Sequence, residues 1–166
     1  MEFCGGLKIR HATGADLDAL SALEASCFPP EEAADRETLR RRIGTYPGHV
    51  WVLETPDGIA AMCNGMVTNE PDLRDEMYEA ETLHREGGAW QMVFSLAVRP
   101  EARGKGYAAR LIGQVGEDAK AQGRRGVVLT CKEALLPFYA RFGFADEGVS
   151  ASSHGGAVWH QMRLIF

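Results

Sequence analysis

The chain has 166 residues, 45% of them hydrophobic and 25% charged, and a net charge of −5. That length supports one domain, residues 1–166, with a full core, and the negative balance excludes nucleic acid as a main partner. No stretch is apolar for long enough to cross a bilayer and no apolar leader opens the chain. Cys4, Cys27, Cys63 and Cys131 lack metal-ligand spacing, so a cytoplasmic protein with free thiols, no metal and no membrane contact is expected.

Leu7–His11 alternates and reads as a first strand. Thr13, with Asp16 three residues on, approaches a capping box, and Leu17, Leu20 and Leu23 then carry a helix that ends before Pro29-Pro30. Arg36–Ile43 reads as a second helix, Val50–Glu54 as a strand, Pro56-Asp57-Gly58 as a turn and Ile59–Thr68 as the returning strand. Residues 69–88 carry seven acids against Arg74 and Arg85, which makes this stretch either a solvated surface connection or a negative funnel for a cationic amine. Residues 89–98 are almost wholly apolar, as in a central strand, and a long helix over 104–122 follows, stopped at Gly123. Val127–Cys131 is a strand and 134–142 a helix that tolerates Pro137 only in its first turn. Two last strands, 144–149 and 157–164, flank a glycine-rich loop. The order gives an α/β layered fold with a mixed sheet.

The chemistry lies in two of these segments. In Arg103-Gly104-Lys105-Gly106-Tyr107-Ala108 a glycine turn opens a helix. Glycines at 104 and 106 permit positive φ and put no Cβ in a ligand's way. The helix start leaves amide donors and a positive dipole end, which suit a pyrophosphate, and Arg103 and Lys105 add charge. The turn is no dinucleotide fingerprint, since position 109 is Ala, and no P-loop. The second segment is Ala134-Leu135-Leu136-Pro137-Phe138-Tyr139-Ala140-Arg141-Phe142-Gly143-Phe144.

Arg103-x-x-Gly106-x-Ala108 resembles the acyl-CoA pyrophosphate loop of the GNAT superfamily of N-acetyltransferases, and the second segment matches that superfamily's later Ala-x-x-x-Phe-Tyr-x-x-x-Gly-Phe motif. Thr130–Tyr139 and Thr82–Gly88 further resemble segments of the arylalkylamine (serotonin-type) N-acetyltransferases. The resemblance implies a GNAT-type fold, a mixed, mostly antiparallel sheet of about seven strands flanked by about four helices. It implies acetyl-CoA as the donor, seated on Leu96, Ala97, Val98 and the loop Arg103, Gly104, Lys105, Gly106, Tyr107 and Ala108. A small-molecule primary amine is the implied acceptor, and the protein is expected as a monomer or homodimer.

Three tasks arise: stabilising the carbonyl oxygen, meeting the leaving thiolate and removing the amine's proton. For the first, the resemblance implies a backbone N–H of strand 95–98. Tyr139 is the candidate for the second: a phenol's pKa of about 10 lies near a thiol's, so proton transfer between them is nearly isoenergetic. Its alternative is a core tyrosine packed beside Phe138 and Phe142.

For the third task the sequence departs from the resembling enzymes, whose paired histidines align with Met92 and Phe94. The role then falls to Glu133, His154, Glu70 or a water chain, or is unnecessary. Met92 and Phe94, with Phe28 and Pro29 on the expected acceptor loop, suit an amine with an aromatic or aliphatic tail; alternatively Met92 and Phe94 fill the core. Neither Cys131 nor Cys63 has an adjacent base in the sequence, which favours direct attack in a ternary complex. Other acceptors (a polyamine, an amino-acid derivative, an aminoglycoside, a protein N-terminus) and a non-catalytic acyl-CoA-binding module stay open.

Overall fold

The computed structural model describes residues 2–3 and 5–166, with side chains from Gly5 onward, so Cys4 lies outside the described residues. Ten strands form two sheets of five, with four α-helices among the described residues. The first sheet has the order β1 (Glu2–Phe3), β2 (Leu7–His11), β3 (Val50–Thr55), β4 (Gly58–Asn64), β7 (Ser95–Val98). The second runs β5 (Val67–Thr68), β6 (Trp90–Val93), β8 (Gly126–Cys131), β10 (His160–Ile165), β9 (Ala145–Val149). All pairings are antiparallel except β6 with β8.

The mixed, mostly antiparallel character is as expected, but the continuous strand expected over 89–98 is two strands. At Phe94 the chain changes sheets: its amide donates to Asn64 O at 2.7 Å. Before it, Val93 pairs with Leu129 on β8; after it, Ser95 pairs with Asn64 on β4. The returning strand expected over 59–68 breaks at the same level, into β4 and β5. Gly65 makes the crossing possible, because a Cβ there would lie 1.9 Å from Met92 O.

The helices are α1 (Leu17–Cys27), α2 (Arg36–Thr45), α3 (Tyr107–Ala121) and α4 (Leu136–Ala140). The capping box at Thr13 and Asp16 is formed, one short turn ahead of α1. Asp16 is fixed by two hydrogen bonds from Arg10, at 2.8 and 2.9 Å. Asp35 caps α2 by accepting from Thr38 N–H at 2.8 Å. The helix around Tyr139 is shorter than 134–142, with a 3-10 turn at 133–135 before it and Gly143 at φ 92° after it.

Both sheet faces are covered, so the central strands bury alternate residues on opposite sides. Trp51, Leu53, Val127 and Leu129 pack with Leu111, Ile112 and Val115 of α3. Val50, Val52, Met62 and Val128 pack with Leu20 of α1 and Leu39 of α2. No helix among the described residues is long and apolar enough to cross a membrane.

The acids of 69–88 are largely committed to ion pairs and hydrogen bonds: Asp72 with Arg163 at 2.8 Å, Glu81 with Arg41 at 3.2 Å, Glu70 and Glu76 with Arg74 at 2.9 and 3.0 Å. Glu86 meets His49, His84 and Arg124. His84 Nδ1 accepts from Val67 N–H, so its Nε2 carries the proton toward Glu86, and the group is a hydrogen-bonded clasp rather than a set of free metal ligands. These contacts favour the surface-connection reading of the acidic stretch over the funnel.

Candidate active site

Because β6 stays with β8 while β7 leaves for β4, the two sheets part beyond Phe94 and leave a wedge between β7 and β8. Two recesses share this opening and meet at Cys27, Phe28 and Leu96.

The first recess, about 400 Å³, runs along Leu96, Ala97 and Val98 to the glycine turn, with Phe138 and Arg141 opposite. Gly104 and Gly106 have φ of 80° and 79°, and a Cβ on either would meet nothing within 4 Å. Among the described residues no backbone acceptor meets the amides of Gly104, Gly106, Tyr107 or Ala108. Open donors at the start of a fifteen-residue helix, beside two left-handed glycines, fit a pyrophosphate. Arg103 and the loop residues line this recess, but Lys105 does not. Arg103 Nε donates to Val98 O at 3.2 Å, folding that side chain back toward β7.

The second recess, about 240 Å³, holds Tyr139 together with Leu129, Thr130 and Cys131 of β8. Aromatic rings wall it: Phe28, Tyr78, Phe94 and Trp159, with Pro29 at the rim. Phe94 lies 4.9 Å from the Tyr78 ring, and His154 stacks on that same ring at 4.2 Å and 7°. Thr130 Oγ1 and Tyr78 Oη share a hydrogen bond of 3.0 Å.

Tyr139 is 6% exposed, sits edge-on to Phe138 and Phe144, and its hydroxyl has no hydrogen-bond partner among the described residues. Burial pushes the phenol far above its ordinary value. That removes the near balance with a thiol expected from the sequence, because a buried phenol holds its proton more tightly. Burial likewise pushes the Cys131 thiol up to about 11 and raises Cys63 further, which suits inert core thiols rather than nucleophiles.

The other expected site residues divide. His154 lines the aromatic recess, with its Nε2–H donating to Glu32 O at 2.9 Å, which leaves Nδ1 unprotonated in the neutral ring. Glu133 lies on the exposed 3-10 turn and lines neither recess, and Glu70 is paired with Arg74 away from both. Met92 is fully buried in the core on the α1–α2 side, while Phe94 alone of that pair reaches the recess.

Sequence reading missed Glu24. It is 3% exposed and lines the aromatic recess. Its Oε1 accepts from Ser95 Oγ at 2.8 Å and its Oε2 from Ala34 N–H at 3.0 Å. The signal was present: Leu17, Leu20, Leu23 and Glu24 share one helical face, so an acid stands on an apolar stripe.

The family model described as "Acetyltransferase (GNAT) domain" matches residues 47–146. Serotonin N-acetyltransferase of Mesocricetus auratus is 34% identical over 86 residues, 51% of this chain and 42% of that protein. A probable glucosamine 6-phosphate N-acetyltransferase 2 of Oryza sativa subsp. japonica is 37% identical over 65 residues, 39% of each. The chain thus spans less than half the length of these relatives. Among solved structures, the GphF GNAT-like decarboxylase in complex with isobutyryl-CoA superposes with a TM-score of 0.83 at 25% identity, over 95% of this chain and 98% of that one. With the match covering the central strands, the glycine turn and Tyr139, the chain belongs to the GNAT acetyltransferase domain family.

Proposed function

We propose that the chain, as one domain, is an acetyl-CoA-dependent N-acetyltransferase acting on a small primary amine with an aromatic or aliphatic tail. One observation carries this reading: a recess with open helix-start amides meets an aromatic recess at β7, and Tyr139 stands in the second with an unpartnered hydroxyl. The donor supplies an activated thioester. The amides of Gly104 to Ala108 hold its phosphates, and Leu96, Ala97 and Val98 offer strand backbone to its arm. Tyr139 donates to the sulfur as charge builds there. The rings of Phe28, Tyr78, Phe94 and Trp159 exclude water and take the acceptor's tail, which favours direct attack on the thioester.

Release of free CoA from acetyl-CoA, measured against phenethylamine, tryptamine, spermidine and glucosamine 6-phosphate, tests this. Release with the arylalkylamines supports the acceptor class, and release with only the sugar or polyamine moves the acceptor but keeps the reaction. Silence with every amine refutes it.

A second reading rests on the likeness to the GphF decarboxylase over nearly the whole of both chains. The aromatic recess then takes a carboxyacyl thioester: the bond to the carboxylate breaks, CO2 leaves, and the α-carbon takes up a proton in its place. Conversion of malonyl-CoA to acetyl-CoA without an amine supports this reading, and unchanged malonyl-CoA removes it.

A further inference from the structure

We propose that Glu24 receives the proton of the acceptor amine, the task for which the aligned histidines are missing. This inference rests on the acetyltransferase reading above.

Three observations place the role on Glu24. First, it stands in the acceptor recess yet is held at the donor strand, because its Oε1 accepts from Ser95, the first residue of β7. An amine attacking a carbonyl held beside Leu96 passes next to that carboxyl. Second, each oxygen accepts one hydrogen bond and has a further lone pair, and no cation among the described residues lies within ion-pair distance. The carboxyl is therefore positioned without being neutralised. Third, burial raises its proton affinity, partly offset by the Ala34 and Ser95 hydrogen bonds and by Arg42 and His154.

Burial narrows the energetic gap for transfer. In water an alkylammonium keeps its proton to about pH 10 and a glutamate gives it up at about 4.3. An apolar cleft penalises both charges, raising the acid and lowering the amine, so the neutral pair gains on the ion pair. The N–H bond to the departing proton breaks, its electron pair stays on nitrogen for attack, and the proton moves to a Glu24 oxygen. The charged and titratable groups lining the cavities around Glu24 are Cys27 of α1, Glu32 of the loop between α1 and α2, Asp35 and Arg42 of α2 and its cap, Tyr78 and Glu79, Cys131 and Lys132, Tyr139 of α4, and His154 of the loop before β10. His154 is the competing base.

Glu24→Gln is nearly isosteric: its oxygen still accepts from Ala34 N–H, and the Ser95 hydroxyl can turn to accept from its amide. Turnover of the best amine at neutral pH is expected to fall about 10²-fold, with acetyl-CoA affinity unchanged. Activity is expected to recover as pH rises toward the amine's own pKa. Ser95→Ala removes a donor to the charged carboxylate, so the acidic limb of the wild-type pH–rate profile is expected to move to higher pH. A purely structural Glu24 would not move that limb.

A Glu24→Gln profile superposing on the wild type overturns the proposal, as does a limb that moves in His154→Gln and not in Ser95→Ala. If Glu24→Gln fails to fold, Ser95→Ala decides alone. Wild-type protein that binds acetyl-CoA but releases no CoA with any amine overturns the acetyltransferase reading and this one together; active wild type with unaltered variants overturns only this one.

Discussion

Tyr139→Phe separates catalysis from packing. The hydroxyl has no partner among the described residues, so its removal orphans none of their groups, and the ring keeps its edge contacts with Phe138 and Phe144. Stability is expected to change by less than about 1 kcal/mol. On the proposed reading the phenol, whose proton affinity burial raises, donates a hydrogen bond to sulfur rather than surrendering its proton. A hydrogen bond to a charged partner contributes about 1.5–3 kcal/mol. At about 1.4 kcal/mol per decade, kcat is expected to fall about 10- to 150-fold. Initial rates of CoA release at saturating amine, with acetyl-CoA affinity by calorimetry and Tm by scanning calorimetry, give all three quantities. An unchanged kcat refutes the role. A fall in kcat with a matching loss of Tm would assign Tyr139 to packing instead.

Gly106→Val places a β-branched residue at φ 79°, where an ordinary L-residue already costs about 1–2 kcal/mol. It also projects a side chain into open space before the helix amides, so acetyl-CoA affinity by calorimetry is expected to drop at least about 100-fold; unchanged affinity would refute the pyrophosphate site. Gly65→Ala drives a Cβ to 1.9 Å from Met92 O and is expected to cost about 3 kcal/mol in urea unfolding, by overpacking against backbone. Burial lowers the proton affinity of His11 and His84 in the folded state. The unfolded chain takes up those protons near pH 6.5, so stability is expected to be full above that value and to decline as pH falls below it. A Tm that holds from pH 7.5 to 5.5 would refute that linkage.

The glycine turn and the helix after it were legible in the sequence, because local chemistry dictates them. Gly104 and Gly106 announce positive φ, and Leu111, Ile112, Val115 and Ala119 mark the buried face of α3. The division of residues 90–98 was not legible. Met92, Val93, Phe94 and Ser95 have nothing in their types to say that the strand changes sheets between them, since that depends on Gly65 meeting Met92 O from a remote segment. Glu133 is near Tyr139 in sequence but lines neither recess, standing exposed on the short turn 133–135. Glu24 escaped for the opposite reason, lying 71 residues before its partner Ser95.

The aromatic recess draws part of its wall from outside the family match. Glu24, Phe28 and Pro29 precede residue 47, and His154 and Trp159 follow residue 146, whereas the glycine turn, β7 and Tyr139 lie within. The protein is therefore divisible for evolution and for engineering alike. On the proposed reading, selection can alter what is acylated by exchanging two peripheral segments, while the part that would handle the donor is inherited intact. Chimaeras that transplant those segments between members of the family should inherit the acceptor preference of the segment's source.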